Sequence, residues 1–182
     1  SGVHTAVVQG IGPVGSFAIT YLKKALKIDK VIALTVYTDD KKNELMKQLG
    51  ADEVIQFDPA NSAEVQNSIV ADLVFEASGS PAAVPMGINM LRNRGIYLVP
   101  GQYSNSGGIE IQPQLITFKA LHIIGSSQYS VCDVEKYVKF LDEHQELIPI
   151  LRSLATCYKV EDVNTAFDDA KAHKNVKTVL VK

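Results

Sequence analysis

The hydrophobic pattern along the chain switches between two periods. Short apolar runs recur at Thr5–Gln9, 31–36, Glu53–Phe57, Asp72–Glu76, Ile96–Val99 and Ala120–Ile124; the second of them, near-continuous, suits a strand buried on both faces of a parallel sheet. Between them lie stretches with apolar residues at helical spacing. The first, Pro13–Leu26, puts Val14, Ala18, Tyr21, Leu22 and Ala25 on one face. The second, about Lys41–Leu49, is followed by Gly50 as a C′ residue. A short helix is expected around Ala63–Ile69, capped by Ser62. Ser80-Pro81 reads as N-cap and N1 of a helix running to Leu91, with Gly87 as a weak point inside it. After Gly125-Ser126-Ser127, a further helix carries Val134, Tyr137, Val138 and Leu141 on one face.

Six strands alternating with helices predict an α/β fold: a doubly wound parallel six-stranded sheet with right-handed crossovers and strand order 3-2-1-4-5-6. A ligand in such a sheet lies across the carboxyl ends of strands one and four. Two stretches fall outside this scheme. Ile109-Glu110-Ile111 alternates and reads as an edge or interface strand after the polar, glycine-rich loop Tyr103–Gly108. The tail reads as strand Leu154–Lys159, helix Val160–His173 and strand Lys177–Val181, surplus to a six-stranded sheet. The expected division is residues 1–147 for the sheet domain and 148–182 for a C-terminal extension.

The first strand runs into Gly10-Ile11-Gly12-Pro13-Val14-Gly15, a G-x-G-x-x-G turn followed directly by a helix. Gly10 permits the turn out of the strand. Gly12 lets a pyrophosphate approach the backbone, and Gly15 lets the helix pack close to the sheet. Pro13 fits the first helical turn, where its missing N–H costs nothing. The free N–H groups and positive dipole end of that helix then face a phosphate. The alternative is a glycine-rich turn that binds nothing. The strand–turn–helix context, with further βα units behind it, favours a dinucleotide.

Composition excludes several classes. The chain has 182 residues, of which 46% are hydrophobic, enough for one sizeable core. A net charge of −2 gives no electrostatic case for nucleic acid. No apolar run approaches the ~20 residues that span a membrane, and no secretory signal is visible. Cys132 and Cys157 lack metal-type spacing, and His4, His122, His144 and His173 are scattered, so no zinc is expected in this chain. A reduced, cytoplasmic setting is the expectation. Glu76, inside an apolar strand, reads as a structural, hydrogen-bonded carboxylate rather than a catalytic base. Ser1-Gly2 reads as a cloning remnant.

The chain resembles the cofactor domain of zinc-containing medium-chain alcohol dehydrogenases, the sorbitol and threonine dehydrogenase relatives. The carriers are the glycine turn, Lys47-Gln48-Leu49-Gly50-Ala51-Asp52-Glu53-Val54-Ile55, and Phe75-Glu76-Ala77-Ser78-Gly79-Ser80-Pro81. Leu91-Arg92-Asn93-Arg94-Gly95 and the segments Val160–Phe167 and Lys177–Val181 extend the match. The resemblance implies a two-domain enzyme passing hydride between a small alcohol and nicotinamide. Its zinc would sit in a GroES-like domain that this chain lacks, so this chain alone would lack activity. Residues 148–182 would return to that domain. A homodimer is implied, with Ile109–Ile111 and Leu121–Ile124 at its edge. The reading kept beside this one is a free-standing dinucleotide-binding module, a sensor or scaffold without chemistry.

Carried over by position, Ile11, Gly12, Pro13 and Val14 would line the pyrophosphate turn. Ser78 and Gly79 would face the adenosine and ribose side. Gly101, Gln102 and Ser126 would approach the nicotinamide, and Lys177 the pyrophosphate. Ser78 and Ser126 could equally be strand-end turn residues, and Lys177 a solvated surface lysine. An NAD site offers an acid at the end of strand two. Thr35 stands there instead. Asp39 and Asp40 could reach back or could merely open the next helix. Thr35, Thr38 and Lys41 could take a 2′-phosphate, which leans the cofactor from NAD toward NADP.

Overall fold

A computed structural model describes residues 2–182. The chain divides into two compact units, Ser1–Gln128 and Tyr129–Lys182.

In the first unit, β1 (Thr5–Gln9) leads through the glycine turn into α1 (Pro13–Lys24), then β2 (Lys30–Thr35), α2 (Asp40–Leu49) and β3 (Glu53–Gln56). Next come α3 (Ser62–Ser68), β4 (Ala71–Glu76), α4 (Ala83–Met90), β5 (Leu91–Val99), α5 (Pro113–Phe118) and β6 (His122–Gly125). The six strands form one sheet in the expected order β3-β2-β1-β4-β5-β6, and every pairing is parallel. The apolar runs explain this. Ala6, Val7 and Val8 of β1 and Val31 and Ala33 of β2 are fully buried, so helices must cover both faces. α1 and α2 pack on each other, as do α3 and α4. Tyr97, Met90, Leu91, Val74 and Val7 form the centre of the core.

Carboxylates pin the amino end of the sheet. Asp72 accepts from the His4 and Thr5 N–H groups at 2.7 Å and from the Arg92 guanidinium. Burial pushes its carboxyl up, but those donors outweigh it and hold it below the usual range. Asp52 does the same for β2, accepting from Val31 N–H at 2.7 Å and Lys23 Nζ at 2.8 Å.

Several local expectations are corrected. Ser62 is the first residue of α3 and makes no cap; Asp58 instead caps a short turn ahead of it, accepting from Ala60 N–H at 2.9 Å. Ser80-Pro81 opens tight turns, with Ala83 N–H donating to the Ser80 carbonyl and Val84 N–H to that of Pro81, and α4 starts only at Ala83. β5 starts at Leu91 rather than Ile96; its register shifts opposite Ala71–Leu73, and Arg94 adopts φ +62°. Ile109–Ile111 forms no strand: it has no ladder partner among the described residues and follows Gly107 at φ +104°.

In the second unit, α6 (Val131–Glu143) carries a capping box at Ser130 and Asp133. α7 (Leu147–Ser153), β7 (Ala155–Lys159), α8 (Val163–Lys171) and β8 (Lys177–Val181) follow. The tail strands pair with each other, in parallel. Tyr158 O–H donates to Asp169 at 2.8 Å, which fastens α8 to β7, and receives Asn175 Nδ2–H at 2.9 Å; Asn175 Nδ2 also donates to Thr178 Oγ1 on β8 at 3.2 Å. Among the described residues no helix is long and apolar enough to cross a membrane.

Candidate functional site: the crevice at the carboxyl end of the sheet

Strand order reverses between β1 and β4, so their carboxyl ends diverge into a crevice. The three glycines of the first turn play separate parts there. Gly10 sits at φ +95°, where an L side chain is strained, and a Cβ on it would lie 2.8 Å from Ser78 Cα. It therefore lets the tails of β1 and β4 touch. Gly15 faces inward: its Cβ would fall 1.9 Å from the Gly10 carbonyl oxygen. Gly12 is the N-cap of α1, at φ −72° and ψ −171°, and a Cβ on it would meet nothing within 4 Å. Open space thus lies in front of a helix N-terminus whose first-turn N–H groups have no intrahelical acceptor. Pro13 occupies N1, and Val14 is exposed beside it. Ile11 contributes backbone only, since its side chain is buried.

At the far end of β2, Thr35 is buried and its Oγ1 accepts from Tyr37 N–H at 3.1 Å. Asp39 is the N-cap of α2, accepting from Lys42 N–H at 3.1 Å, with Lys42 Nζ at 3.4 Å. That backbone donor, despite some burial, holds its carboxyl below the usual range. Asp39 thus opens the helix as its cap. Thr38 Oγ1 accepts from Gln56 Nε2 at 2.6 Å, and Lys41 is exposed nearby on the first turn of α2.

On the other side, the tails of β4 and β5 interlock. Glu76, fully buried at the end of β4, accepts at Oε1 from Ser78 N–H, Ser78 Oγ and Gly79 N–H at 2.8, 2.6 and 2.9 Å. Gly101 N–H donates to the Glu76 carbonyl at 2.9 Å. Gln102 Nε2 donates to the Ser80 carbonyl at 3.0 Å. Between the tails of β5 and β6, an open cleft of ≈ 440 Å³ is lined by Val99, Pro100, Gln102, Tyr103 and Gly125–Ser127.

The structure therefore brings Gly10–Gly15, Ser78, Gly79, Gly101, Gln102 and Ser126 to one end of one sheet, with Thr35, Thr38 and Lys41 at the end of the neighbouring strand. Lys177 belongs to the second unit, where it opens β8 opposite Ala155 with its side chain exposed. Sequence reading missed the cleft residues Val99 and Tyr103, which flank the tail of the fifth strand it had already located. It also missed Gln9, buried beneath the crevice, which donates to the Ala83 carbonyl at 2.9 Å and accepts from Tyr97 O–H at 3.3 Å. Burial and the nearby Glu76 push the Tyr97 phenol far up, so it stays a protonated donor. Among the described residues, no group of three or more His, Cys, Asp or Glu could hold a metal ion.

Comparison with known proteins agrees with this geometry. The sequence profile of a family described as zinc-binding dehydrogenase matches residues 13–143. The 5-exo-hydroxycamphor dehydrogenase of Pseudomonas putida is 26% identical over 183 residues, covering 97% of this chain and 50% of that protein. Glucose 1-dehydrogenase 2 of Vulcanisaeta moutnovskia is 31% identical over 141 residues, 76% of this chain and 38% of its own length. A solved alcohol dehydrogenase of Thermotoga maritima has the same fold, with a TM-score of 0.84 at 22% identity, over 97% of this chain and 49% of that one. This chain spans about half the length of the curated relatives it matches or less.

Proposed function

Because this chain belongs to the zinc-binding dehydrogenase family and corresponds to its nicotinamide dinucleotide-binding domain, we propose that it serves an alcohol or polyol dehydrogenase. In that enzyme it holds the dinucleotide while hydride passes between a small alcohol and the nicotinamide ring. The observation that carries the reading is Gly12. A glycine with open space before it, at the N-terminus of a helix after a parallel strand, accepts a pyrophosphate against bare backbone.

Gly10–Gly15 cradle the pyrophosphate, Ser78 and Gly79 border the ribose, and the cleft at Gln102 and Ser126 receives the nicotinamide. The dinucleotide supplies the hydride chemistry, while these residues bind and orient it.

NADP is favoured over NAD. Thr35 replaces the acid that would hold a 2′-hydroxyl, Asp39 is occupied as a cap, and Lys41 is exposed where a 2′-phosphate would lie. Calorimetric titration with NADPH and NADH in parallel tests both levels. Saturable binding with NADPH tighter is expected. Equal or tighter NADH removes the preference, and no binding of either removes the function. A homodimer is the companion proposal: every residue of the edge strand β6 is exposed, including Ile123 and Ile124. Light scattering should return twice the chain mass.

A further inference from the structure

Glu76 has a job that neither the fold nor hydride transfer requires of it. It is fully buried, yet its two oxygens are unequal. Oε1 is saturated by the three donors of the Ser78–Gly79 turn. Oε2 is buried with no hydrogen-bond partner. A buried oxygen without a donor is costly, so the arrangement persists against its own desolvation.

The surroundings show what the carboxyl holds. Gly101, on the tail of β5, lies against Oε2 so closely that a Cβ there would be 2.5 Å away. Gly79, at φ +69°, abuts the same tail, with its would-be Cβ 3.1 Å from the Gly101 carbonyl. The hydrogen bonds then continue outward. Ser80 N–H donates to Ser78 Oγ at 3.1 Å, and Gln102 Nε2 donates to the Ser80 carbonyl at 3.0 Å. One connected set thus runs from a buried acid beneath the crevice, through the exposed Ser78, to Gln102 on the cleft wall.

We infer that Glu76 is a positioning residue for the dinucleotide: its Oε1 fixes the Ser78–Gly79 turn and, through Ser78 and Ser80, sets Gln102 against the cleft. The inference rests on the dinucleotide reading above. Glu76 touches no ligand itself, since it has no exposed surface. It acts on affinity by holding the turn in its binding shape before the ligand arrives, so that no ordering cost falls on binding. Substitution by glutamine keeps the shape and one acceptor oxygen but halves the strength of the donors' attraction, and it puts an NH₂ group where Oε2 lies unpartnered.

The test is a double-mutant cycle on the full chain with Glu76→Gln, Ser78→Ala and the pair. Dissociation constants for NADPH and NADH come from calorimetry, and the fold of each variant is checked by circular dichroism. Glu76→Gln should weaken the preferred dinucleotide on the order of tenfold. Ser78→Ala should weaken it by a smaller factor, and the pair should lose less than the product of the two, because both act through one turn. A purely structural role would lower the melting temperature and leave the affinity of the folded protein untouched; that outcome overturns the inference, as does a fully multiplicative cycle. If Glu76→Gln fails to fold, Glu76→Asp takes its place: it keeps the carboxylate but shortens its reach to the Ser78–Gly79 donors, and wild-type affinity in the folded Glu76→Asp chain overturns the inference. Wild-type chain that binds neither dinucleotide overturns the functional reading first, and this inference with it.

Discussion

Two methyl groups on one turn should do opposite things. In Gly15→Ala the new Cβ would sit 1.9 Å from the Gly10 carbonyl oxygen and 3.4 Å from Val8 Cγ1. Relaxed C···O contacts lie near ~3.3 Å, so the helix and the turn must part by about 1.4 Å. Both sides of this contact are backbone, and no rotamer change relieves it. Alanine returns roughly 0.5–1 kcal/mol of helix propensity, against an overpacking cost of about 1–3 kcal/mol. The net expectation is a loss of about 1–2 kcal/mol, or roughly 2–8 °C in Tm for a chain of this size. Gly12→Ala is the counterpart. Its φ of −72° suits alanine and its Cβ meets nothing within 4 Å. Only the poorer N-cap counts against it, less than about 1 kcal/mol. If phosphates fill that open space, however, the methyl displaces them, and affinity should fall roughly 10- to 100-fold. Urea and thermal unfolding followed by circular dichroism, with calorimetric titration of each variant, read both quantities. Undiminished dinucleotide affinity in Gly12→Ala would refute the placement of the pyrophosphate, and undiminished stability in Gly15→Ala would refute the close packing.

Three further outcomes follow from the packing and the charges. Gly87→Ala, inside α4, would bring a Cβ to 2.3 Å from the Tyr97 ring and 2.8 Å from Gln9 Oε1; it should lower stability by about 1–3 kcal/mol in denaturant titration. Asp72 is held below its unfolded value of about 3.9. Its stabilisation is therefore complete above that pH and is lost as pH falls through the lower folded value. Arg92→Met should move the onset of acid unfolding to higher pH, and an unchanged profile by circular dichroism would contradict the role given to this pair. Lys119 Nζ donates to the carbonyls of Ile88, Asn89 and Leu91 at the end of α4, at 3.2, 2.8 and 2.8 Å; Lys119→Met should cost about 1–3 kcal/mol in the same titration.

The sheet was legible because its strands are short apolar runs separated by turn residues, and the order 3-2-1-4-5-6 follows from right-handed crossovers once those runs are located. The glycine turn was legible for the same reason: strand and helix both announce themselves around it. What escaped was short or set by tertiary contacts. α5 and α7 are only 6 and 7 residues long, too short to establish a period. Ser80-Pro81 has the residues of a helix start, but the Ser80 carbonyl is taken by Ala83 N–H and by Gln102, twenty-two residues on, so the α-helix begins later. The strand character of Ile109–Ile111 lacked what no local pattern supplies, a neighbouring strand. Glu76 was read as hydrogen-bonded and structural; its donors proved to be the very turn expected to face the ligand. Asp39 was open between two roles, and its cap to Lys42 N–H settles its geometry.

The central claim is that one dinucleotide lies across the carboxyl ends of β1, β4, β5 and β6. Backbone amide NMR of the isotopically labelled chain, titrated with NADPH and then NADH, tests it most directly. The account predicts saturable shifts concentrated at Gly10–Gly15, Ser78–Gly79, Gly101–Gln102 and Ser126, with the amide of Gly12 among the largest. Shifts that leave the glycine turn silent, or that gather at the amino end of the sheet around Asp72 and Asp52, would contradict it.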